Sequence, residues 1–143
     1  MPSKRPQAVL VVRSIVINSD DKILIMKRAG DDRYKAGFWE FPGGKLEEGQ
    51  NLEEAVSREV KEEANIKISD ISRVSYVESQ VIESGPYKGL PYIVIVATST
   101  TKNHDVELTD EHSEYKWVSS DNMPDLEYKE HVKPSLEIFN KYE

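Results

Sequence analysis

The sequence predicts an α/β (α+β) fold, a mixed β-sheet sandwiched between helices, and three observations carry that expectation. Runs rich in β-branched and aliphatic residues lie on both sides of a central segment. That segment, from about Asn51 to Ala64, changes to a helical period, with Leu52, Val56 and Val60 recurring every four residues. The resulting order of strands, helix, strands, helix calls for a sheet with helices packed on it. The chain has 143 residues. No internal repeat or flexible linker divides it, so residues 1–143 are expected to form a single domain.

Each element has its own warrant. "AVLVVRSIVI" (Ala8 to Ile17) reads as a strand, "NSDDK" as a turn, and "ILIMKR" (Ile23 to Arg28) as the hairpin partner. "AGDDRYKAG" is a polar loop. "FWEFP" is a short strand stopped by Pro42, and Gly43-Gly44 reads as a turn. Asn51 suits the N-cap of the helix, with Glu53 and Glu54 favourable in its first turn. Asn65 suits the left-handed position that ends it. "RVSYVESQVI" and "PYIVIVATST" are two more strands, separated by a Gly/Pro loop. "EYKWV" is a short strand, and "HVKPSLEIFNKY" a terminal helix with Pro134 in its first turn.

The composition narrows the chemistry. Hydrophobic residues make up 38% and charged residues 31%, the balance of a globular chain rather than a disordered one. With no cysteine, disulfides and thiolate chemistry are excluded, and a metal would meet carboxylates, the three histidines or backbone oxygens. Such oxygen ligands favour Mg²⁺, Mn²⁺ or Ca²⁺. A net charge of −7 argues against a nucleic-acid polymer as partner, but permits a small anionic substrate bridged by a cation. No stretch has the length of a membrane span, and "AVLVV" is broken by Arg13, so no membrane and a cytoplasmic location are expected.

The end of the central helix poses a problem. Glu59, Glu62 and Glu63 repel one another, and the negative end of the helix dipole adds to the repulsion. On a helical wheel with Val56 at zero, Glu63 falls near −20°, inside the apolar stripe, and Glu59 near −60°, at about its edge. Glu62 falls near −120°. Acids placed there are costly to bury unless a divalent cation compensates them. Surface acids paired with Lys61 or other bases are the plain alternative. The Gly43-Gly44 step lets backbone approach a ligand closely. Lys45 follows it, and Lys27, Arg28, Arg33 and Lys35 lie upstream, bases that suit a phosphate ester held through Mg²⁺.

These residues resemble the Nudix hydrolases. The box of that family runs Gly, five residues, Glu, seven residues, Arg-Glu-aliphatic-x-Glu-Glu-x-Gly-aliphatic. Gly44, Arg58, Glu59, Val60, Glu62, Glu63 and Ile66 stand in register with it. "WEFPGGKLEEG" ahead of the box is similar to the MutT-type branch, which acts on nucleoside triphosphates. The resemblance implies that Glu59, Glu62 and Glu63 ligate a divalent metal, Mg²⁺ with Mn²⁺ as a substitute, and that the Gly43 carbonyl also reaches it. It implies that Arg58 holds the carboxylates by ion pairing. Glu111, six residues before Trp117, matches an additional acid of MutT-type enzymes, with Glu114 as the runner-up. Two positions depart from the box. Asn65 stands for its glycine. Gln50 stands for its first glutamate and keeps a carbonyl acceptor without charge, while Glu47 and Glu48 are nearby substitutes.

The implied reaction is Mg²⁺-dependent hydrolysis of a nucleoside diphosphate-linked compound. A (deoxy)nucleoside triphosphate giving the monophosphate and pyrophosphate is the first expectation. ADP-ribose, sugar nucleotides and dinucleoside polyphosphates are alternatives, and so is a catalytically weak nucleotide-binding module, for which Gln50 is the motive. An interaction domain with a surface acidic helix is a third class. Glu59 is the first choice of general base and Glu111 the second. Lys45 and Arg28 are expected on phosphate oxygens, with Gly44 at the close approach. Trp39, Tyr34, Tyr76, Tyr87 and Tyr92 are stacking candidates. Asn122 and Asn140 are poorly placed to read an oxidised guanine. A homodimer is left open.

Overall fold

The computed structural model describes residues 7–30, 36–72, 74–103 and 105–142. Its elements are β1 (Val9–Ile17), β2 (Ile23–Arg28), β3 (Trp39–Glu40), β4 (Gly43–Lys45), α1 (Leu52–Ala64), β5 (Val74–Val81), β6 (Pro91–Thr100), β7 (His112–Val118) and α2 (Val132–Tyr142). The sheet is mixed. β1 runs parallel to β6 over its whole length, from Val9↔Tyr92 to Ile17↔Thr100, and β5 pairs antiparallel with β6.

The β1–β2 hairpin opens after one pair, Ile17↔Ile23. β6 fills one edge of β1, and β7 fills one edge of β2. The facing edges of β1 and β2 therefore diverge into a wedge, and the chain from β3 to β4 fills it. β3 pairs with β2 at Met26↔Glu40 and Lys27↔Trp39, and β4 pairs with β1 from Val11↔Lys45 to Arg13↔Gly43. The Gly43-Gly44 step is thus strand, not the turn read from the sequence. Glycine is needed there for closeness: a Cβ on Gly43 would collide with the Val12 carbonyl and with Arg13.

Alternation along β1 and β2 builds two cores. Val11, Ile15, Ile23 and Ile25 point to one face and pack with Trp39, Phe41, Val94 and Val96 under Val132 and Leu136 of α2. Val12, Val16, Leu24 and Met26 point to the other and pack under Ala55, Val56, Val60 and Ala64 of α1. This is the mixed sheet sandwiched between helices. Among the described residues no helix is long and apolar enough to cross a membrane.

Both ends of α1 form as the sequence predicts. The Asn51 side chain accepts from the Glu54 N–H at 2.9 Å. Asn65 adopts φ 55°, ψ 39°, its N–H donates to the Lys61 carbonyl, and its side chain takes the Lys61 ammonium at 2.8 Å. Asn is among the residues that tolerate this conformation, so the missing box glycine is absorbed locally.

Candidate active site

α1 delivers its acids at three depths, in the order the helical wheel sets. The Glu63 residue is 6% exposed. The side chains of Glu59 and Glu62 are 15% and 57% exposed. The Gly43 N–H donates to Glu63 Oε1 at 2.8 Å. Gly44 lies flat against the Glu59 carboxylate, where any Cβ would collide with it. The wedge strand β4 and the last two turns of α1 are therefore locked together through two glycines.

Arg58 gathers the acids. Its Nη2 lies 3.0 Å from Glu59 and 3.5 Å from Glu47, and its Nη1 donates to both oxygens of Glu62 at 3.3 Å. Gln50 joins the cluster: its Oε1 accepts from Arg58 Nη2 at 3.4 Å and from the Glu47 N–H at 3.1 Å. The amide thus places an uncharged acceptor on Arg58, and Glu47 places a negative charge beside it.

A cavity of about 340 Å³ is walled by Glu59, Glu62, Glu63, Thr109, Asp110 and Glu111. Glu111 therefore faces the helix acids, held there by its carbonyl, which accepts from the Ala29 N–H at the end of β2 at 2.9 Å. Glu114 is turned elsewhere and pairs with Lys27 at 3.4 Å. Thr109 and Asp110 were not singled out in the sequence, because irregular loops carry no periodic signal. Burial pushes the Glu63 carboxyl up to about 8, against the pull of the Gly43 N–H and Arg13. Burial also raises Glu59; Arg58 opposes this, and Glu62, Glu111 and Glu47 add to it. These are hard oxygen donors whose mutual repulsion Arg58 offsets in part, at Glu59 and Glu62, and such a donor set fits Mg²⁺ or Mn²⁺.

A second group stands behind β4. Glu40 is fully buried, with Arg13 at 3.4 Å and Lys129 at 3.0 Å on Oε1, and Arg28 at 3.3 Å and His112 at 2.8 Å on Oε2. Burial alone would raise this carboxyl; Arg13, the His112 hydrogen bond and Lys129 overcome it and hold Glu40 far below the usual carboxylate range. Glu40, Glu63 and His112 bring ligand atoms within 4.8 Å of one another. Three cations already crowd Glu40, however, so a metal there would meet repulsion, and only Glu63 of the three faces the acidic cavity. A signal for this group was present: Arg13 and Glu40 are lone charges inside apolar strands, and buried charges of opposite sign pair. Arg13 and Lys129 also line a cavity of about 130 Å³ on the α2 face, with Glu78, Gln80, Tyr92, Val94, Glu130 and His131.

The remaining expected residues divide. Lys45 is exposed on β4 beside Gly44, and Arg28 is tied to Glu40. Trp39 is corrected to a core role: it is 3% exposed, packs under α2 and has no open face for a base. Tyr76 also packs against that core. Asn140 donates to the Ser120 carbonyl on the surface. Arg33, Tyr34 and Lys35 lie outside the described residues.

Comparison with known proteins agrees with this geometry. The model of the NUDIX domain family matches residues 7–139. An RNA pyrophosphohydrolase of Pelagibacter ubique is 26% identical over 132 residues, covering 82% of each chain. The nucleoside triphosphatase NudI of Escherichia coli is 26% identical over 113 residues, covering 76% of this chain and 80% of its own. The crystal structure of a MutT protein from Methanosarcina mazei superposes with a TM-score of 0.78 at 27% identity, covering 97% of both chains.

Proposed function

The chain belongs to the NUDIX family, whose members hydrolyse phosphoric anhydride bonds in nucleotide-linked compounds, and from that premise we propose that it cleaves nucleoside triphosphates to the monophosphate and pyrophosphate. One observation carries the reading: Glu59, Glu62, Glu63 and Glu111 converge on one cavity while Arg58 anchors three acids from behind. The similarity to NudI, a nucleoside triphosphatase, favours a triphosphate as substrate.

Glu59, Glu62, Glu63 and Glu111 would hold the divalent cation, with the Gly43 carbonyl beside them. When bound, Mg²⁺ supplies charge neutralisation of the polyphosphate and acidifies water. The chain's own residues do the rest. Glu59, raised by its surroundings and aligned by Arg58, takes the proton of the attacking water. The water oxygen bonds to phosphorus as the anhydride P–O bond breaks, and pyrophosphate leaves with the electron pair. Lys45 neutralises a phosphate oxygen at the flat Gly43-Gly44 surface, where backbone alone separates it from the acids. Arg13 links that surface to the polar cavity on the α2 face, which is of a size for a nucleobase ring. The Arg58–Gln50 contact supports an active enzyme over a binding-only module, since the amide still offers Arg58 an acceptor.

The test is a panel of canonical and oxidised nucleoside triphosphates, ADP-ribose, sugar nucleotides and dinucleoside polyphosphates, assayed with and without Mg²⁺. Strong metal-dependent release of pyrophosphate from a triphosphate supports the reading. Preference for another class, or silence from folded protein, overturns it.

A further inference from the structure

We propose that Tyr87, at the apex of the loop between β5 and β6, is a positioning residue that holds the Lys45 ammonium ready for a substrate phosphate; this rests on the phosphate role of Lys45 given above. The Lys45 Nζ lies 5.2 Å from the centre of the Tyr87 ring. Both partners are presented by ordered backbone. Lys45 pairs with Val11 in the sheet, and the next N–H, of Leu46, donates to the Leu10 carbonyl at 2.8 Å. The Tyr87 loop closes on itself through Ile82 N–H to Leu90, Gly89 N–H to Ile82 and Leu90 N–H to Tyr87. Gly85 and Gly89 supply the left-handed turns at φ 85° and 92°.

The kind of partner matters. Among the described residues the other cations near the site are spent on carboxylates: Arg28 and Arg13 on Glu40, Lys27 on Glu114, and Arg58 on Glu47, Glu59 and Glu62. Among the described residues Lys45 has no carboxylate partner; an aromatic ring holds it instead. A ring restrains an ammonium through its face without cancelling the charge, and leaves its other N–H donors free. Tyr87 is 49% exposed, so its ring is not a core element whose place in the fold accounts for it. Removing it returns rotamer freedom to Lys45, and that freedom must be lost again when phosphate binds.

The experiment is a double-mutant cycle on Tyr87→Ala and Lys45→Ala, read by calorimetric titration with inorganic tripolyphosphate in Mg²⁺. The probe needs no turnover, so the result is separate from that of the hydrolysis panel. Tyr87→Ala is expected to weaken binding about threefold, the size of an exposed cation–π contact. Tyr87→Phe, which keeps the ring, restores it, and in Lys45→Ala protein Tyr87→Ala has no further effect. Additive losses, an unchanged Tyr87→Ala, failure of Phe to rescue, or absence of tripolyphosphate binding to the native chain would each overturn the proposal.

Discussion

Glu63 shows how one side chain couples folding to metal binding. Its carboxyl is raised from 4.5 to about 8, chiefly by burial. A raised acid gives stability that is fully present below its unfolded pKa and is lost as pH rises through the folded one. Without divalent cation the thermal midpoint is therefore expected to fall between about pH 5 and pH 8. Saturating Mg²⁺ should flatten that slope, because the cation replaces the proton. Glu63→Gln should reduce both the slope and the Mg²⁺ response, leaving the smaller part due to Glu59; a slope undiminished in the variant would assign it elsewhere. Gln50 makes the complementary case. Its amide already accepts from Arg58. Gln50→Glu should change kcat by less than about tenfold, whereas Gln50→Leu removes the acceptor and should lower kcat without a matching fall in stability. Both acids of the helix interior were legible in the sequence, since their angle to the apolar stripe follows from spacing alone. The Arg58–Gln50–Glu47 contact was not, because it depends on how the loop before the helix folds back.

At the scale of elements, α1 was the most legible part of the chain. Its period, its N-cap and its left-handed end are all local, and local interactions act alike in a fragment and in the folded chain. Asn65→Ala should cost about 1–2 kcal/mol from the strained backbone, and Asn65→Gly should be close to neutral, as chemical denaturation would measure. The β3–β4 wedge was the least legible part. A two-residue strand has no periodicity, and two adjacent glycines read as a turn when nothing reveals the neighbours on either side. Its function appears only with α1 in place. Gly44→Ala should push the Glu59 carboxylate aside and lower kcat by about tenfold or more while the fold persists, a 1 Å misplacement being enough for that loss. Unchanged kinetics in Gly44→Ala would remove the wedge from the account.

At the scale of the whole molecule, two charged clusters lie on either side of β4. Acids converge on the α1 side of β4, while Arg13, Arg28 and Lys129 surround Glu40 behind it. The positive group needs residues from β1, β2, β3 and the segment before α2, so no window of sequence contains it. Its only trace was a lone charge in each of two apolar runs. Glu40→Gln should cost about 3–5 kcal/mol by leaving buried cations unpaired. Glu40 is held below its ordinary range, so its contribution is present above its unfolded pKa and disappears as pH falls through the folded value. A two-core sandwich with a net charge of −7 would be a poor host for a polyphosphate if the acids stood bare. The central claim is that these acids form a divalent-cation site for anhydride hydrolysis. The measurement that tests it most directly is pyrophosphate release from nucleoside triphosphates against Mg²⁺ concentration, with the native chain and Glu62→Gln side by side. The account predicts saturable Mg²⁺ dependence in the native chain and a loss of about a hundredfold or more in kcat for the variant, the scale seen when one preorganised charge group is removed from a reacting centre. Equal rates in the two proteins, or hydrolysis indifferent to Mg²⁺, would contradict it.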